Sequence, residues 1–518
     1  MPRFIVRMKL AGVAMIAAAV AAPDWPQWGR NATRNAVSPE KGPPLEFQLP
    51  VVENGKLAKP DPRIAWFGEL GSRTIGTPSI ADGLVWIGTN SRAPSDDAPR
   101  KDWDGGVLMC FRESDGKPLW KHRTPRLTAG YVEDFPYATL GSAPHVEGDK
   151  LWYVNNRCEA VCFDITPLKK GTGPPREVWK LDMRKELNVF QHLMLMQGGG
   201  GAAVAVYGDL MFVVTHNGVD ESSINIPSPE APSLVCLDKA TGKLLWKDKS
   251  PGKGILRSQI SSPLVGEVKG RKQVIVGQGD GWLRSFDPAT GKLLWKCDLN
   301  PKDSEYDLGG VGIRNYVVAT PILLDDHVYI ATGRDVENGS GPGGLYCIDP
   351  TKDGDVSREL DAGPKTGKPN PNSGVVWYTP PTVPEDAPRI EVGIKKKRDL
   401  LRVRDYYFGR TIAGVTAHDG LLYAADFDGY FYCFEAKTGK LHWVENLKSS
   451  VWGQPLWVDG KVFVASDDGN ITVFAHGREK KQLAKIAVDH TVRSGLVFAN
   501  GTLYIATDRT LYALRTPK

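Results

Sequence analysis

From about residue 63 to its end the chain alternates short apolar runs with breaks rich in Gly, Pro and Asx. One unit recurs: a Ser/Thr-Pro or its equivalent, an apolar run, Asp-Gly or Asn-Gly, then a second apolar run. Thr77-Pro-Ser-Ile-Ala-Asp-Gly-Leu-Val-Trp-Ile87 and Gln454-Pro-Leu-Trp-Val-Asp-Gly-Lys-Val-Phe-Val464 are examples. An Asp-Gly between two such runs is a strong hairpin signal, because it supplies the positive φ angles of a tight turn. A third apolar run carrying Cys-Phe or its equivalent follows, then a Gly-Lys-x-x-Trp turn and a fourth run. Four antiparallel strands repeating about every 40 to 80 residues describe the blades of a propeller.

First hairpins begin near residues 72, 138, 199, 258, 315, 411, 450 and 491, which predicts eight blades. The last copy, Thr491 to Arg515, has only three runs and no Trp ending, while Arg63-Ile-Ala-Trp-Phe-Gly-Glu-Leu70 reads as the missing fourth strand. The fold expected is therefore all-β, an eight-bladed propeller of four-stranded antiparallel blades whose ring is closed by an N-terminal strand. Closure of this kind removes the exposed edges an open array would carry.

Four segments align without gaps: Phe111 to Trp120, Leu237 to Trp246, Phe286 to Trp295 and Phe434 to Trp443. In each a glycine (Gly116, Gly242, Gly291, Gly439) stands four residues before the Trp, where a turn needs φ > 0. Weaker copies end at Trp66, Trp179 and Trp377. These Asp-x-x-Thr-Gly-Lys-x-x-Trp units resemble the tryptophan-docking repeat of the pyrroloquinoline quinone (PQQ) propellers, over residues 64 to 515. That superfamily includes quinoprotein alcohol dehydrogenases and BamB, a non-enzymatic propeller of outer-membrane β-barrel assembly. Asp24-Trp-Pro-Gln-Trp-Gly29, Asn217-Gly-Val-Asp-Glu-Ser222 and Pro369-Asn-Pro-Asn-Ser373 look like secreted bacterial members without an assigned activity. The dehydrogenase branch implies a vicinal Cys-Cys disulfide and a Trp on opposite faces of PQQ, Ca²⁺ ligands from Glu and Asn, and an Asp base. This chain has no Cys-Cys pair, and no Ca²⁺ set can be matched residue by residue. No cofactor is expected, and PQQ with calcium stands only as what that branch implies.

Composition narrows the reading. The chain is 518 residues long, 41% apolar and 24% charged, with 56 Gly and 38 Pro, a turn-rich globular balance. Net charge is +5, and Arg3, Arg7 and Lys9 supply three of the positives. The remainder gives no argument for nucleic acid. Those three residues, the apolar run Leu10 to Ala19 and Ala19-Val-Ala21 read as a signal peptide over 1–21, with a Pro-rich lead-in at 22–62 and the propeller at 63–518. A periplasmic or secreted protein without a later membrane span is expected, acting as a monomer.

Cys110, Cys162, Cys236, Cys347 and Cys433 share one repeat position and so lie a blade apart, too far for disulfides. They are expected in the core, with Cys158 and Cys297 left over. Asp426-Phe-Asp-Gly429 and Asp467-Asp-Gly-Asn470 lack the closing Glu of a calcium loop and read as hairpin turns. Gln197-Gly-Gly-Gly-Gly201 lacks the Gly-Lys-Ser/Thr of a phosphate loop and marks close backbone approach instead.

Five or six positions before the Ser/Thr-Pro come Arg73, Arg257, Arg410 and His490, with Arg314 one further out. Equivalent repeat positions map to equivalent heights, so these residues form a candidate cationic collar at one channel mouth, suited to carboxylates or phosphates. The competing expectation is that each Arg pairs with a neighbouring carboxylate or snorkels to solvent. Inserts at about 90–104, 217–233, 333–344, 351–375 and 379–409 are candidate rims, the last containing the basic run Lys395 to Arg404. The function expected is a non-enzymatic binding or scaffold protein that presents mouth and inserts to a protein partner or an anionic ligand. The alternative is a PQQ- and calcium-dependent dehydrogenase.

Overall fold

The computed structural model describes residues 24–49, 52–53, 56–57, 61–91, 105–127, 139–192, 201–307, 312–334, 338–380, 382–383 and 406–516. Eight antiparallel blades surround a central axis. In blade 1, Ser79–Ala81 lies innermost, followed outward by Leu84–Asn90, Gly105–Arg112 and Pro118–Pro125. Blade 8 joins the two ends of the chain: Ile64–Glu69 pairs with Thr510–Arg515, placing Phe67 opposite Tyr512 and Trp66 opposite Ala513. The ring closes as the repeat arithmetic requires.

Tryptophans dock four of the blades onto the next. Gly116, Gly242, Gly291 and Gly439 all have φ between 70° and 74°. A Cβ on these glycines would sit 2.5–2.6 Å from the rings of Trp66, Trp179, Trp246 and Trp377, each from the preceding blade. Each indole N–H donates to the carbonyl three residues before its glycine: Glu113 (2.8 Å), Lys239 (3.1 Å), Pro288 (2.9 Å) and Ala436 (2.7 Å). Only glycine both permits the left-handed turn and lets the indole lie flat on the backbone.

The repeat cysteines lie opposite these tryptophans or their counterparts: Cys110 faces Trp120, Cys162 faces Trp179, Cys236 faces Trp246, Cys347 faces Trp377 and Cys433 faces Trp443. A register shift follows each cysteine directly. All seven cysteines are free and buried, so the repeat-position cysteines serve as small core residues.

Two sheets carry a fifth strand that the repeat does not predict. Gly354–Asp355, from the insert of blade 5, runs parallel to Leu293–Asp298 on the outer edge of blade 4. There Trp295 is fully buried and donates to Gln273 Oε1 (2.7 Å) within its own blade instead of docking on a neighbour. The other added strand is Val37–Ser38, parallel to Leu456–Val458 of blade 7.

That second addition belongs to a strap, residues 24–40, which crosses one end of the channel and bonds to every blade. Trp25 exchanges two backbone hydrogen bonds with Ile80 of blade 1, and Val146 N of blade 2 donates to Pro26 O. Arg34 Nη2 donates to Val204 O of blade 3 at 2.7 Å. Val265 N of blade 4 and Leu323 N of blade 5 donate to Ala32 O and Thr33 O. Asn35 holds both backbone groups of Ala417 in blade 6. Trp457 N of blade 7 donates to Ala36 O, and Asn500 N of blade 8 donates to Glu40 Oε1. Inner strands would otherwise present unpaired N–H and C=O groups to the channel, and the strap satisfies them.

Arg34 anchors the strap. Its side chain is fully buried and donates to Pro263 O, Val204 O, Trp28 O and Gln27 Oε1. With carbonyl oxygens instead of a carboxylate around it, burial pushes the guanidinium pKa down to about 9.

Candidate functional site: the channel mouth

With one end closed by the strap, the opposite mouth of the channel is where the sequence-marked cations lie. Taking the second residue of each innermost strand as a common level, Arg73 and Arg410 both stand seven residues before it. Arg257 and His490 stand eight before it and Arg314 nine. The five therefore do not share one register.

Their surroundings differ as well. Arg73 is half-buried beside Arg493, facing Asp508 and Asp467, and burial lowers its pKa. Arg257 is almost fully buried and donates to Ser223 Oγ (2.9 Å), a residue of the 217–233 insert. Arg314 bonds Asp298 Oδ1 (3.2 Å) and Asp280 O (3.2 Å), so here the carboxylate pairing holds. Asp298 is buried and also held by Lys302 at 3.0 Å, and burial raises its pKa against the pull of both cations. His490 is partly exposed, its Nε2 3.9 Å from Asp489.

Arg410 is buried and donates to Asn338 O, Ser340 O and Gly312 O at 3.0–3.2 Å. Burial, then the charge of Arg334, pushes its pKa down to about 10.

Arg334 is the residue that repeat alignment missed. It follows the second strand of blade 5, in an insert without a period. Its guanidinium donates to Arg314 O (2.8 Å) and to Gly312 O (3.1 Å), the same carbonyl Arg410 uses, and lies 4.7 Å from the Tyr306 ring centroid. Arg334 and Arg410 thus meet on the Gly312 carbonyl, with Arg314 joined through its backbone while its side chain stays on Asp298. A second cluster joins Arg73 to Arg493, whose guanidinium bonds Asp467 (2.7 Å), reaches Asp508 (3.5 Å) and lies 4.9 Å from the Trp452 ring centroid.

The mouth also holds two buried histidines, His192 and His216, with His192 N donating to His216 O. Burial, reinforced by His192, pushes the His216 pKa down to about 4, so that imidazole is neutral at pH 7. Among the described residues, no three His, Cys, Asp or Glu side chains converge as a metal set. The basic run at 395–404 and the segment 197–200 lie outside the described residues, whereas Gly201 does approach its neighbour closely: a Cβ on Gly141 would sit 3.3 Å from Gly201 Cα.

Comparison with known proteins adds a family. A family model described as outer membrane protein assembly factor BamB matches residues 104–379 and 343–516. Among solved structures, Sqt1 of Saccharomyces cerevisiae is similar at 10% identity and a TM-score of 0.52, covering 88% of this chain and 99% of that one. BamB of Moraxella catarrhalis aligns at 13% identity and a TM-score of 0.47, over 84% of this chain and 98% of its own. Quinohemoprotein alcohol dehydrogenase of Comamonas testosteroni aligns at 14% identity and 0.47, over 97% and 82%. No curated protein matches the sequence. At these identities the structural likeness concerns the propeller fold, which hosts both binding proteins and enzymes.

Proposed function

The chain belongs to the family described as outer membrane protein assembly factor BamB, and from that premise we propose that it is a non-enzymatic binding protein of the bacterial periplasm. Its mouth engages an acidic segment of a protein partner or a small anionic ligand. The observation that carries this reading is the asymmetry of the channel: the strap closes one end, while the Arg314–Arg334–Arg410 and Arg73–Arg493 clusters occupy the other. Arg334 and Arg410 are held by carbonyls and keep their positive charge, whereas Arg314, Arg73 and Arg493 stand against carboxylates, so it is the two carbonyl-held guanidiniums that favour an anion. Secretion accords with the N-terminal pattern, and among the described residues no helix is long and apolar enough to cross a membrane.

Calorimetric titration of the mature chain with a glutamate-rich peptide, and separately with PQQ in the presence and absence of Ca²⁺, tests this at low and high salt. Peptide binding that weakens with salt is the expected result, since attraction at a solvent-facing mouth is screened. Failure of the acidic peptide to bind overturns the reading. Tight, Ca²⁺-dependent, salt-resistant binding of PQQ replaces it with the quinoprotein dehydrogenase.

A further inference from the structure

Five residues before the same level on each innermost strand stand Ile75, Gly141, Gly201, Ile260, Val318, Ile412, Trp452 and Arg493. This places them two residues deeper than Arg73 and Arg410, on the same side of an extended chain. Contacts confirm a common level. Ile260 and Val318 pack in one apolar cluster with Ile412 against it. The position of a Gly141 Cβ is 3.3 Å from both Ile75 Cδ1 and Gly201 Cα. Arg493 lies over the Trp452 ring.

The channel is therefore layered. Arg73 and Arg410 stand at the mouth, Ile75, Ile260, Val318, Ile412 and Trp452 form an apolar girdle beneath them that Arg493 interrupts on blade 8, and the strap forms the floor. Trp25 and Trp28 of the strap face Thr77, Gln454 and Leu496 there. Ile75 and Ile412 are only half-buried at this depth, so the girdle keeps apolar surface uncovered.

Resting on the reading that the mouth takes an anion, we infer that the occupant is amphipathic: a carboxylate carried on an aliphatic segment. The carboxylate meets the arginines while the aliphatic part meets the girdle and stops at the strap. A highly hydrated anion such as phosphate gains nothing from the girdle, and a neutral alkyl chain gains nothing from the arginines. Burial of a few methylenes is worth enough to separate these cases, at about 0.8 kcal/mol each. A free medium-chain fatty acid and the apolar, carboxylate-ended tail of a peptide share this chemistry.

The test titrates the full mature chain with octanoate, octanamide, acetate, and a short leucine peptide with a free C-terminal carboxylate. Octanoate or the peptide is expected to bind at least about tenfold more tightly than acetate and octanamide. Which of the two binds identifies the source. Ile412→Ser is expected to lower that affinity about tenfold, with acetate unaffected and the urea unfolding midpoint checked alongside. Ile75→Ser, on blade 1, gives the same readout should the first variant fold poorly. Acetate binding as well as octanoate overturns the inference while leaving the anion-binding mouth standing. Octanamide binding as well as octanoate overturns it by removing the role of charge. Silence from every probe overturns it too, and the mouth is then judged by its own acidic-peptide titration.

Discussion

Trp179 lies across the backbone of Gly242, its ring carbons 2.6 Å from where a Cβ would be, while its N–H donates to Lys239 O at 3.1 Å. Gly242→Ala adds a methyl to a residue at φ 74° and drives it into the indole. The left-handed backbone alone costs an L-residue about 1–2 kcal/mol, and overpacking adds to it. We expect a loss of at least about 2 kcal/mol, read as a lower urea midpoint. Ala at Gly270, which has φ 81° and nothing near its Cβ, is the control and should cost less.

Arg34 ties the strap to blades 3 and 4 through Val204 O and Pro263 O. Arg34→Ala leaves buried carbonyls without donors, at about 1–3 kcal/mol for each one left unpaired. A destabilisation of about 3 kcal/mol is expected, together with faster amide hydrogen exchange at Ile80, Val265, Leu323 and Trp457. Arg34→Lys should recover only part, because one ammonium cannot reproduce the planar fork. Unchanged exchange at those amides would contradict the strap's role.

Acid should weaken the fold through His216. Its pKa falls from the ordinary 6.5 to about 4 on burial, so below pH 6.5 the unfolded chain binds a proton that the folded chain refuses. Stability from this group is complete above pH 6.5 and declines as pH falls toward 4, by ~3 kcal/mol. Burial lowers the pKa of His145 as well, which adds loss of the same sign. His216→Asn suits the position, since Asn tolerates the φ of 61° seen there. The variant should flatten the dependence of the unfolding midpoint on pH between 6.5 and 4.

The thiols should be inert while the protein is folded. Burial pushes the pKa values of Cys162, Cys236, Cys347 and Cys433 up to about 12, leaving almost no thiolate at pH 8. A thiol reagent should therefore label none of the seven in native protein and all of them in denaturant. Stability should not change on adding a reductant.

Much of this architecture was legible in one dimension because each blade solves the same problem with the same residues. The Gly-x-x-x-Trp units mark the left-handed turns, and the indole over each turn comes from the preceding blade, with Trp66, Trp179 and Trp377 docking despite their weaker surrounding motif. Cysteine at one repeat position places it in one environment, opposite the outer-strand Trp. Even ring closure followed from a three-stranded end and an orphan strand at the start, because a sheet edge requires a partner.

The site was legible only in part. Repeat alignment singles out Arg73, Arg257, Arg314, Arg410 and His490, but these fall in three registers, Arg73 with Arg410, Arg257 with His490, and Arg314 alone. The preceding loops differ in length, and a shift of one residue changes where a side chain points.

Local pattern thus settled the blades, their number and their closure, since each depends on contacts that recur along the chain. Three dimensions alone decided that Arg334 would join Arg314 and Arg410, and that residues 24–40 would floor the channel. The strap is held by backbone N–H and C=O groups from all eight blades, which every sequence possesses, and such bonds leave no periodic signature for a sequence to display.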